Sequence, residues 1–344
     1  MTDPEKSLVF NTSHFHQQFS GSLALIDTAQ QIGRTFGEQD IRKIFFVGCG
    51  APHHLFLSIE YWATRFAVNT TYHRYFPAEF IVHAPKSLDE TSLVILGSHS
   101  GTTQETVEAA VFSQQSPAQT LAITHSAESP LGSTVDQSIA YGKTEQGYFS
   151  AFMLTFAMLS AFLSSKEPGW KFNPALVESL PNFPAALGEA KSQTLKVARQ
   201  QARQLKDSQH LYVLGAGPMY TTAYVFASCF LMEMQWMHAH ALQAAEFFHG
   251  PFEVVDETTP LLLLIGEDPS RPIAERVRRF TQQYSKNTLV VDAKDFPMTG
   301  IAPDIRPLVA PMIVDAALTN LVEALAVQRD HPMSTRRYMG KVDY

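Results

Sequence analysis

The sequence predicts an α/β protein made of two doubly wound parallel sheets flanked by helices. Three short apolar runs, each followed by small or turn-forming residues, occur twice in the same order with an offset of 167 to 169 residues. The runs are continuously apolar rather than alternating, as expected of strands that helices cover on both faces. With 344 residues the chain is long enough for two domains. We place them at 1–170 and 171–344.

The predicted strands pair off between the two halves. Residues 44–47, 93–97 and 121–124 match residues 211–214, 262–266 and 289–292. Helical patterns occur at residues 22–36, 54–66, 104–115, 149–164, 219–241, 271–284 and 311–328. Because open sheets of this kind bind ligands at the carboxyl ends of their strands, the loops after the strands are the first candidates for a site.

Composition excludes several classes of function. The chain has 26 Lys+Arg against 33 Asp+Glu and a net charge of −7, which gives no broad positive field for nucleic acid or anionic lipid. Two cysteines cannot form a disulfide framework, and the opening residues lack the features of a signal peptide. We therefore expect a cytoplasmic protein with no nucleic-acid partner.

Two uncharged stretches are long enough to cross a bilayer. Residues 211–232 contain a Gly-Ala-Gly-Pro break, and residues 147–165 carry four serines and a threonine. These features favour a strand–helix unit and a buried helix. We therefore expect no association with a membrane.

A loop rich in hydroxyl groups follows the second predicted strand. Residues 98–106 read Ser-His-Ser-Gly-Thr-Thr-Gln-Glu-Thr at a predicted helix start. Backbone N–H groups, the positive end of the helix dipole and the hydroxyls of Ser98, Ser100 and Thr103 would form a phosphate cradle. A helix N-cap with extra serines is the plainer interpretation. The position at the carboxyl end of a strand favours the cradle.

Two other loop types give weaker or opposite signals. Gly-x-Gly turns at 48–50 and 215–217 do not extend to G-x-G-x-x-G, so they do not support a dinucleotide site. The second-half counterpart of the hydroxyl loop, residues 266–270, reads Gly-Glu-Asp-Pro-Ser, and its carboxylates would repel a phosphate. Only the first half is therefore predicted to bind phosphate.

Glu233 and His249 are candidate acid/base groups. Glu233 interrupts an apolar helical stretch, and a carboxylate there needs a partner or a raised pKa. His249 lies in a Gly-Pro turn, and histidine is a common acid/base residue in enzymes. A structural role explains Glu233 alone equally well, and a lone histidine in a turn is more often structural than catalytic. The histidines at 53–54 and at 238 and 240 have the wrong spacing for two ligands on one helix face, so no metal is expected.

The two-copy architecture, the loop at 98–103 and the Glu-Phe-Phe-His-Gly-Pro segment at 246–251 resemble the sugar isomerase (SIS) family. Within it, the chain looks like the isomerase half of glucosamine-6-phosphate synthase without its glutaminase domain, over roughly residues 20–344. The resemblance implies two SIS domains. It also implies that a sugar phosphate is bound by Ser98, Ser100, Gly101, Thr103 and Gly50.

The same resemblance implies catalytic roles. The acid/base glutamate of the family lies 16 residues before the histidine of its E-x-x-H-G-P motif, as Glu233 lies 16 residues before His249. Lys341 occupies the position of a tail lysine that reaches the sugar site. In relatives the histidine enters the neighbouring subunit's site, which implies a homodimer with a shared active site. The chain departs from the synthase at two positions. Phe226 replaces a second glutamate of the synthase, and Pro52 replaces a serine of the synthase.

The tail and the segment around Trp236 look most like the SIS deglycases. Those enzymes hydrolyse 6-phosphorylated sugar–amino acid conjugates of the fructoselysine, fructose-asparagine/aspartate or glucoselysine type. They give a hexose 6-phosphate and a free amino acid, and no cofactor is implied. The sequence leaves open which amino acid and which sugar the substrate carries.

Two alternatives remain open. An aldose–ketose isomerase of an (amino)sugar phosphate would use the same proton shuttle, and Phe226 in place of the second glutamate counts against it. A sugar-phosphate-binding regulator ranks third. No helix-turn-helix extension precedes residue 20, and a sensor has no need for Glu233.

Overall fold

Nine strands form two parallel sheets in the computed structural model, which describes residues 10–342. The described residues divide into two units, one spanning Ser13–Pro184 and the other running from Ala185 onward together with residues 10–12. The predicted α/β class, with two parallel sheets flanked by helices, is confirmed.

The first unit contains a five-stranded sheet with the order β2-β1-β3-β4-β5. Its strands are β1 (Lys43–Gly48), β2 (Thr71–Tyr75), β3 (Ser92–Gly97), β4 (Gln119–Thr124) and β5 (Gln137–Ala140). Its helices are Ser20–Leu23, Ile26–Glu38, Ala51–Phe66, Pro77–His83, Gln104–Ser113, Pro130–Thr134, Gly147–Lys166 and Asn173–Ser179. Every residue of β3 is fully buried, which agrees with its continuously apolar sequence.

The second unit contains a four-stranded sheet with the order β7-β6-β8-β9. Its strands are β6 (Leu211–Gly215), β7 (Ala239–Gln243), β8 (Leu261–Ile265) and β9 (Thr288–Asp292). Its helices are Tyr220–Tyr224, Arg271–Tyr284, Arg306–Gln328 and the π-helix Val225–Met234, and the helix Phe183–Leu205 leads into the unit. This order repeats that of the first four strands of the first sheet.

The predicted helix at 219–241 is wrong at its end. The helical turns stop near residue 235, and residues 239–243 form β7, which pairs in parallel with β6. The alternating pattern of Ala-His-Ala-Leu-Gln suits an edge strand with one covered face, whereas helix propensity alone favoured a continued helix.

The boundary between the two units along the chain lies between Pro184 and Ala185, whereas the sequence suggested a boundary at 170. Asn173 explains why the residues after 170 stay with the first unit. Its side-chain amide exchanges two hydrogen bonds of 3.0 and 3.1 Å with the buried amide of Gln30. The short helix that begins at Asn173 is thereby tied to the helix Ile26–Glu38.

Two helices are long and apolar enough to cross a membrane, Gly147–Lys166 and Arg306–Gln328. The most apolar windows of these helices are 83% and 89% buried inside the protein, as in core helices of globular proteins. The first packs closely on Ile26–Glu38 at Gly33, where an added Cβ would lie 1.9 Å from the Met158 carbonyl oxygen. The other predicted stretch, 211–232, is split between β6 and several helical turns.

Candidate active site

The sheet of the first unit reverses its strand order between β1 and β3. The connection from β1 leads to β2 on one side, and β3 continues to β4 on the other. In doubly wound sheets this arrangement opens a crevice beyond the carboxyl ends of the two central strands. The loops beginning at Cys49 and Ser98 therefore border the expected ligand site.

A cavity of about 250 Å³ occupies this crevice. Its lining is mainly apolar and comes from four segments of the unit, two of which supply the polar side chains. The lining residues that carry polar side chains are Ser98, His99, Tyr141, Thr144, Glu145 and Tyr148. Such a cavity suits a small polar ligand that is held by a few directed hydrogen bonds.

Internal hydrogen bonds shape the hydroxyl loop. The buried Ser98 hydroxyl accepts a bond of 3.1 Å from the Gly101 N–H and pairs with the Thr103 hydroxyl at 2.9 Å. Ser100 accepts from the N–H of Thr102 at 3.2 Å. Thr103 is the N-cap of the helix Gln104–Ser113 and turns its hydroxyl to Ser98. The loop thus brings Ser98, Ser100, Gly101 and Thr103 together at a helix start.

Two glycines are required by the backbone at this site. Gly101 has φ +64°, and a Cβ there would lie 2.1 Å from the Ser129 hydroxyl. Gly50 has φ +59°, and a Cβ there would meet no atom within 4 Å. Since only glycine adopts positive φ readily, Gly101 is required by conformation and space, and Gly50 by conformation alone.

His99 and Tyr141 form a pair that sequence reasoning missed. His99 Nδ1 and the Tyr141 hydroxyl are hydrogen-bonded at 2.8 Å, and both residues line the cavity. Burial lowers the pKa of His99, with a contribution from His125, and burial raises the pKa of Tyr141. Both groups are therefore neutral near pH 7. Tyr141 directly follows β5, a short edge strand without an apolar run to reveal it.

Glu233 lies in the last turn of the π-helix Val225–Met234. Its Oε1 is 2.8 Å from Nη2 of Arg336, and both side chains are mostly buried. Burial raises the pKa of Glu233, and the charge and hydrogen bond of Arg336 oppose the rise without cancelling it. π-Helices occur often at functional sites. Glu233 therefore has the properties of an acid/base group, a carboxylate that can be protonated closer to neutral pH.

A cavity of about 480 Å³ surrounds Glu233 within the second unit. Sulfur-containing, aromatic and basic side chains from the end of the π-helix and from the tail line it. They are Met232, Trp236, Met237, His238, Arg336, Arg337, Tyr338 and Met339. The sequence did not predict that Arg336 and Arg337 lie next to Glu233, because they are about 100 residues away from it in the chain.

His249 lies in a turn that a phenylalanine holds in place. Phe247 is fully buried and packs edge-on against Phe248 and Phe280, while His249 is exposed. The His249 N–H donates to the Glu246 carbonyl at 2.9 Å, and Gly250 follows with φ +132°. His249 is not among the residues that line the Glu233 cavity.

Lys341 lies in a turn of the tail and is exposed. Its ammonium group donates to the Arg336 carbonyl oxygen at 2.5 Å. It therefore contacts the residue that pairs with Glu233. Phe226 lies in the same π-helix as Glu233, is fully buried and packs edge-on against Phe230.

In the second-unit counterpart of the hydroxyl loop, residues 266–270, the acidic side chains bind groups of the same unit. Asp268 is buried and accepts the Ser270 N–H at 2.8 Å. Glu267 is paired with Arg306 at 2.6 Å. The two acidic side chains thus bind groups of their own unit.

Comparison with known proteins identifies the family. The SIS domain family model matches residues 39–165. Over 306 residues the chain is 36% identical to the fructosamine deglycase FrlB of Bacillus subtilis, a match that covers 88% of this chain and 93% of that protein. The chain belongs to the SIS family.

Other proteins similar to this SIS-family chain include two curated relatives. The agropine synthesis conjugase of Rhizobium rhizogenes is 31% identical over 338 residues, covering 95% of this chain and 94% of that protein. The fructoselysine 6-phosphate deglycase of Escherichia coli is 29% identical over 303 residues, covering 88% and 87%.

A solved structure from Bacillus subtilis, described as a phosphosugar isomerase, is 33% identical with a TM-score of 0.86, covering 94% of this chain and 100% of that chain. The Escherichia coli relative is named a deglycase of a 6-phosphate, and the solved structure is described as a phosphosugar isomerase. The protein is a SIS-family sugar-phosphate enzyme.

Proposed function

We propose that the protein is a deglycase that hydrolyses a 6-phosphorylated sugar–amino acid conjugate to a hexose 6-phosphate and a free amino acid. The substrate is of the fructoselysine, fructose-asparagine/aspartate or glucoselysine type. The observation that carries the proposal is Glu233, a mostly buried carboxyl with a raised pKa that lines a cavity. Relatives named as deglycases support it.

The phosphate of the substrate binds at the hydroxyl loop of the first unit. Ser98, Ser100 and Thr103 supply hydroxyl donors, and the helix Gln104–Ser113 supplies its N-terminal amides. Gly101 and Gly50 let the backbone approach the phosphate without an intervening side chain. The second unit, which we propose is a second SIS domain, supplies the acid/base groups.

The reaction begins on the open-chain form of the substrate. Glu233 as carboxylate takes the proton from C1 of the ketoamine while the C2 oxygen takes a proton from solvent, which gives an enolamine. The resulting carboxylic acid of Glu233 returns its proton to C2, which gives a protonated imine between C1 and the nitrogen. Water adds to C1, the C1–N bond breaks, and the amine leaves with a proton while C1 becomes the aldehyde of glucose 6-phosphate. A carboxyl whose pKa is raised by burial suits both transfers.

His249 and Lys341 assist this chemistry in the proposal. His249 opens the sugar ring or helps water to add, acting from the neighbouring subunit of a homodimer. Its exposure on an anchored turn is compatible with contact to a second chain. Lys341 acts from the tail, next to Arg336. The enzyme is expected to work in the cytoplasm on a substrate phosphorylated beforehand.

Conjugation of a sugar with an amino acid is a second candidate. A relative that matches 95% of this chain is named a conjugase. Condensation of an amine with an aldose carbonyl followed by the reverse proton shift would use the same groups. Isomerisation of a sugar phosphate is a third candidate, favoured by the similar structure described as a phosphosugar isomerase.

The deciding experiment supplies the 6-phosphates of fructose-lysine, fructose-asparagine and glucose-lysine and measures hexose 6-phosphates and free amino acid separately. Amino acid released with stoichiometric hexose 6-phosphate is expected, and Glu233→Gln is expected to lower kcat by at least about 100-fold. Glu257→Gln is the matched control, because Glu257 makes only an exposed ion pair with Lys286. Interconversion of hexose phosphates without amine release would refute the deglycase and favour the isomerase.

A further inference from the structure

The cavity around Glu233 is lined by two arginines, Arg336 and Arg337, and by one carboxylate, that of Glu233. One positive charge is therefore not neutralised. Glu233 and Arg336 form an ion pair of 2.8 Å. Arg337 lines the same cavity and, within residues 10–342, makes no ion pair with a carboxylate. The guanidinium of Arg337 instead lies 4.2 Å from the ring centroid of Trp236. This stacking leaves the N–H groups at its edge available to an anion.

Trp236 is held in an unusual conformation at this place. Its φ is +52°, a left-handed backbone conformation that a bulky residue rarely adopts. The neighbouring residue fixes it, since the Gln235 side chain donates to the His331 carbonyl at 3.0 Å and Arg329 donates to the Gln235 carbonyl at 3.2 Å. Strain of this kind is retained where the side chain has a task.

We infer that this cavity binds the amino acid part of the substrate and that Arg337 pairs with its carboxylate. The inference rests on the proposed function. A substrate that carries its phosphate on C6 and its amine on C1 or C2 presents the amine end to the group that moves the proton between these two carbons, which is Glu233. The amino acid part of each proposed conjugate has an aliphatic chain and an α-carboxylate. The cavity offers methionine and aromatic surface with one unneutralised cation.

The same charge separates this substrate class from simple hexose phosphates. A hexose phosphate has no anion at its C1 end, so Arg337 would have no partner in an isomerase substrate. A guanidinium–carboxylate pair in a partly enclosed cavity contributes about 1.5–3 kcal/mol, which corresponds to about 10- to 100-fold in kcat/KM.

The test compares each conjugate that releases amine with its decarboxylated counterpart. For 6-phosphofructose-asparagine the counterpart is the 3-aminopropanamide conjugate, and for the lysine conjugates it is the pentane-1,5-diamine conjugate. The wild-type protein is expected to prefer the carboxylate form by about 10- to 100-fold in kcat/KM. In Arg337→Gln this ratio is expected to fall below about 3, and Arg337→Lys should retain part of it because the charge remains.

Arg279→Gln is the matched control, since Arg279 is exposed on the helix Arg271–Tyr284. It should keep the wild-type ratio. A wild-type protein without preference for the carboxylate form would overturn the inference, and that comparison requires no variant. An equal loss with both conjugates in Arg337→Gln would assign Arg337 to the phosphate and would also overturn it. Absence of amine release from every conjugate would instead refute the proposed function itself.

Discussion

Nη2 of Arg336 lies 2.8 Å from Oε1 of Glu233, so a residue of the tail sets the charge state of a carboxyl in the π-helix. Burial and the guanidinium act in opposite directions on the pKa of Glu233, and burial has the larger effect. This balance suits a group that must both take and return a proton. A fully neutralised carboxylate would be a poor acid donor, and an unpaired buried carboxyl would be a poor base.

Removal of Arg336 should therefore shift the pH dependence of turnover. In Arg336→Met the pKa of Glu233 rises further, because the charge and the hydrogen bond that favour the carboxylate are lost. The acidic limb of the kcat/KM profile is expected to move to higher pH. Profiles of the wild type, Arg336→Met and the control Arg279→Gln check this. An acidic limb that stays in place would show that Glu233 is not the group that titrates.

Asp315 should make stability depend on pH. It is fully buried in the helix Arg306–Gln328, and burial raises its pKa to about 8, opposed by Lys191. A carboxyl with a higher pKa in the folded protein binds a proton on folding. The free energy of unfolding is thus highest below the unfolded pKa near 4 and falls as the pH rises to about 8.

Asp315→Asn removes this titration and should be more stable than the wild type by about 5 kcal/mol at pH 8, with little difference at pH 4. Denaturant unfolding at the two pH values measures the effect. Asp304→Asn, an exposed position in the same unit, serves as control. A constant difference between wild type and Asp315→Asn across this range would mean that Asp315 is ionised in the folded protein.

Ser98 should be the hydroxyl on which the phosphate subsite depends most. Its side chain organises the loop through Gly101 and Thr103. Ser98→Ala is expected to weaken inhibition by hexose 6-phosphates by about 10-fold or more, since one donor and the loop geometry are lost together. Ser133→Ala, which removes only a bond of 3.4 Å at the surface, provides the comparison. Inhibition constants that are the same in both variants would place the phosphate elsewhere.

Gly33 should tolerate no side chain. A Cβ would lie 1.9 Å from the carbonyl oxygen of Met158, so the helices Ile26–Glu38 and Gly147–Lys166 would have to separate. Gly33→Ala is expected to destabilise the protein by about 2–3 kcal/mol. Thermal unfolding would reveal it, with Gly169→Ala as the milder case because its nearest new neighbour is a ring atom of Phe66 at 3.3 Å. Equal melting temperatures for the two variants would contradict the close packing.

The central strands could be predicted from sequence because helices cover both of their faces. The six predicted runs are β1, β3, β4, β6, β8 and β9, and all of them form strands. The first five are central strands, whereas β9 is an edge strand whose short apolar run was recognised by its match to β4 in the first half. The strands β2, β5 and β7 were missed. They lie at sheet edges, where one side is less covered and polar residues such as His73, Arg74 and Gln137 are accommodated.

The candidate site was predictable only where its residues are close in sequence. The hydroxyl loop from Ser98 to Thr103 forms one local structure, and its spacing is readable from the sequence. The contacts of Glu233 with Arg336, and of His99 with Tyr141, join distant segments. No local pattern encodes such contacts, because the folding of a whole unit creates them.

The direction of the Glu233 side chain depends on how many residues the π-helix contains before it. Successive residues of a regular helix are rotated by about 100° around the axis. The wider turns of Val225–Met234 hold extra residues relative to an α-helix. A variant shortened by one residue inside this segment could form regular turns with every side chain of the site still present. Its carboxylate would then face away from Arg336, so composition alone does not specify this site.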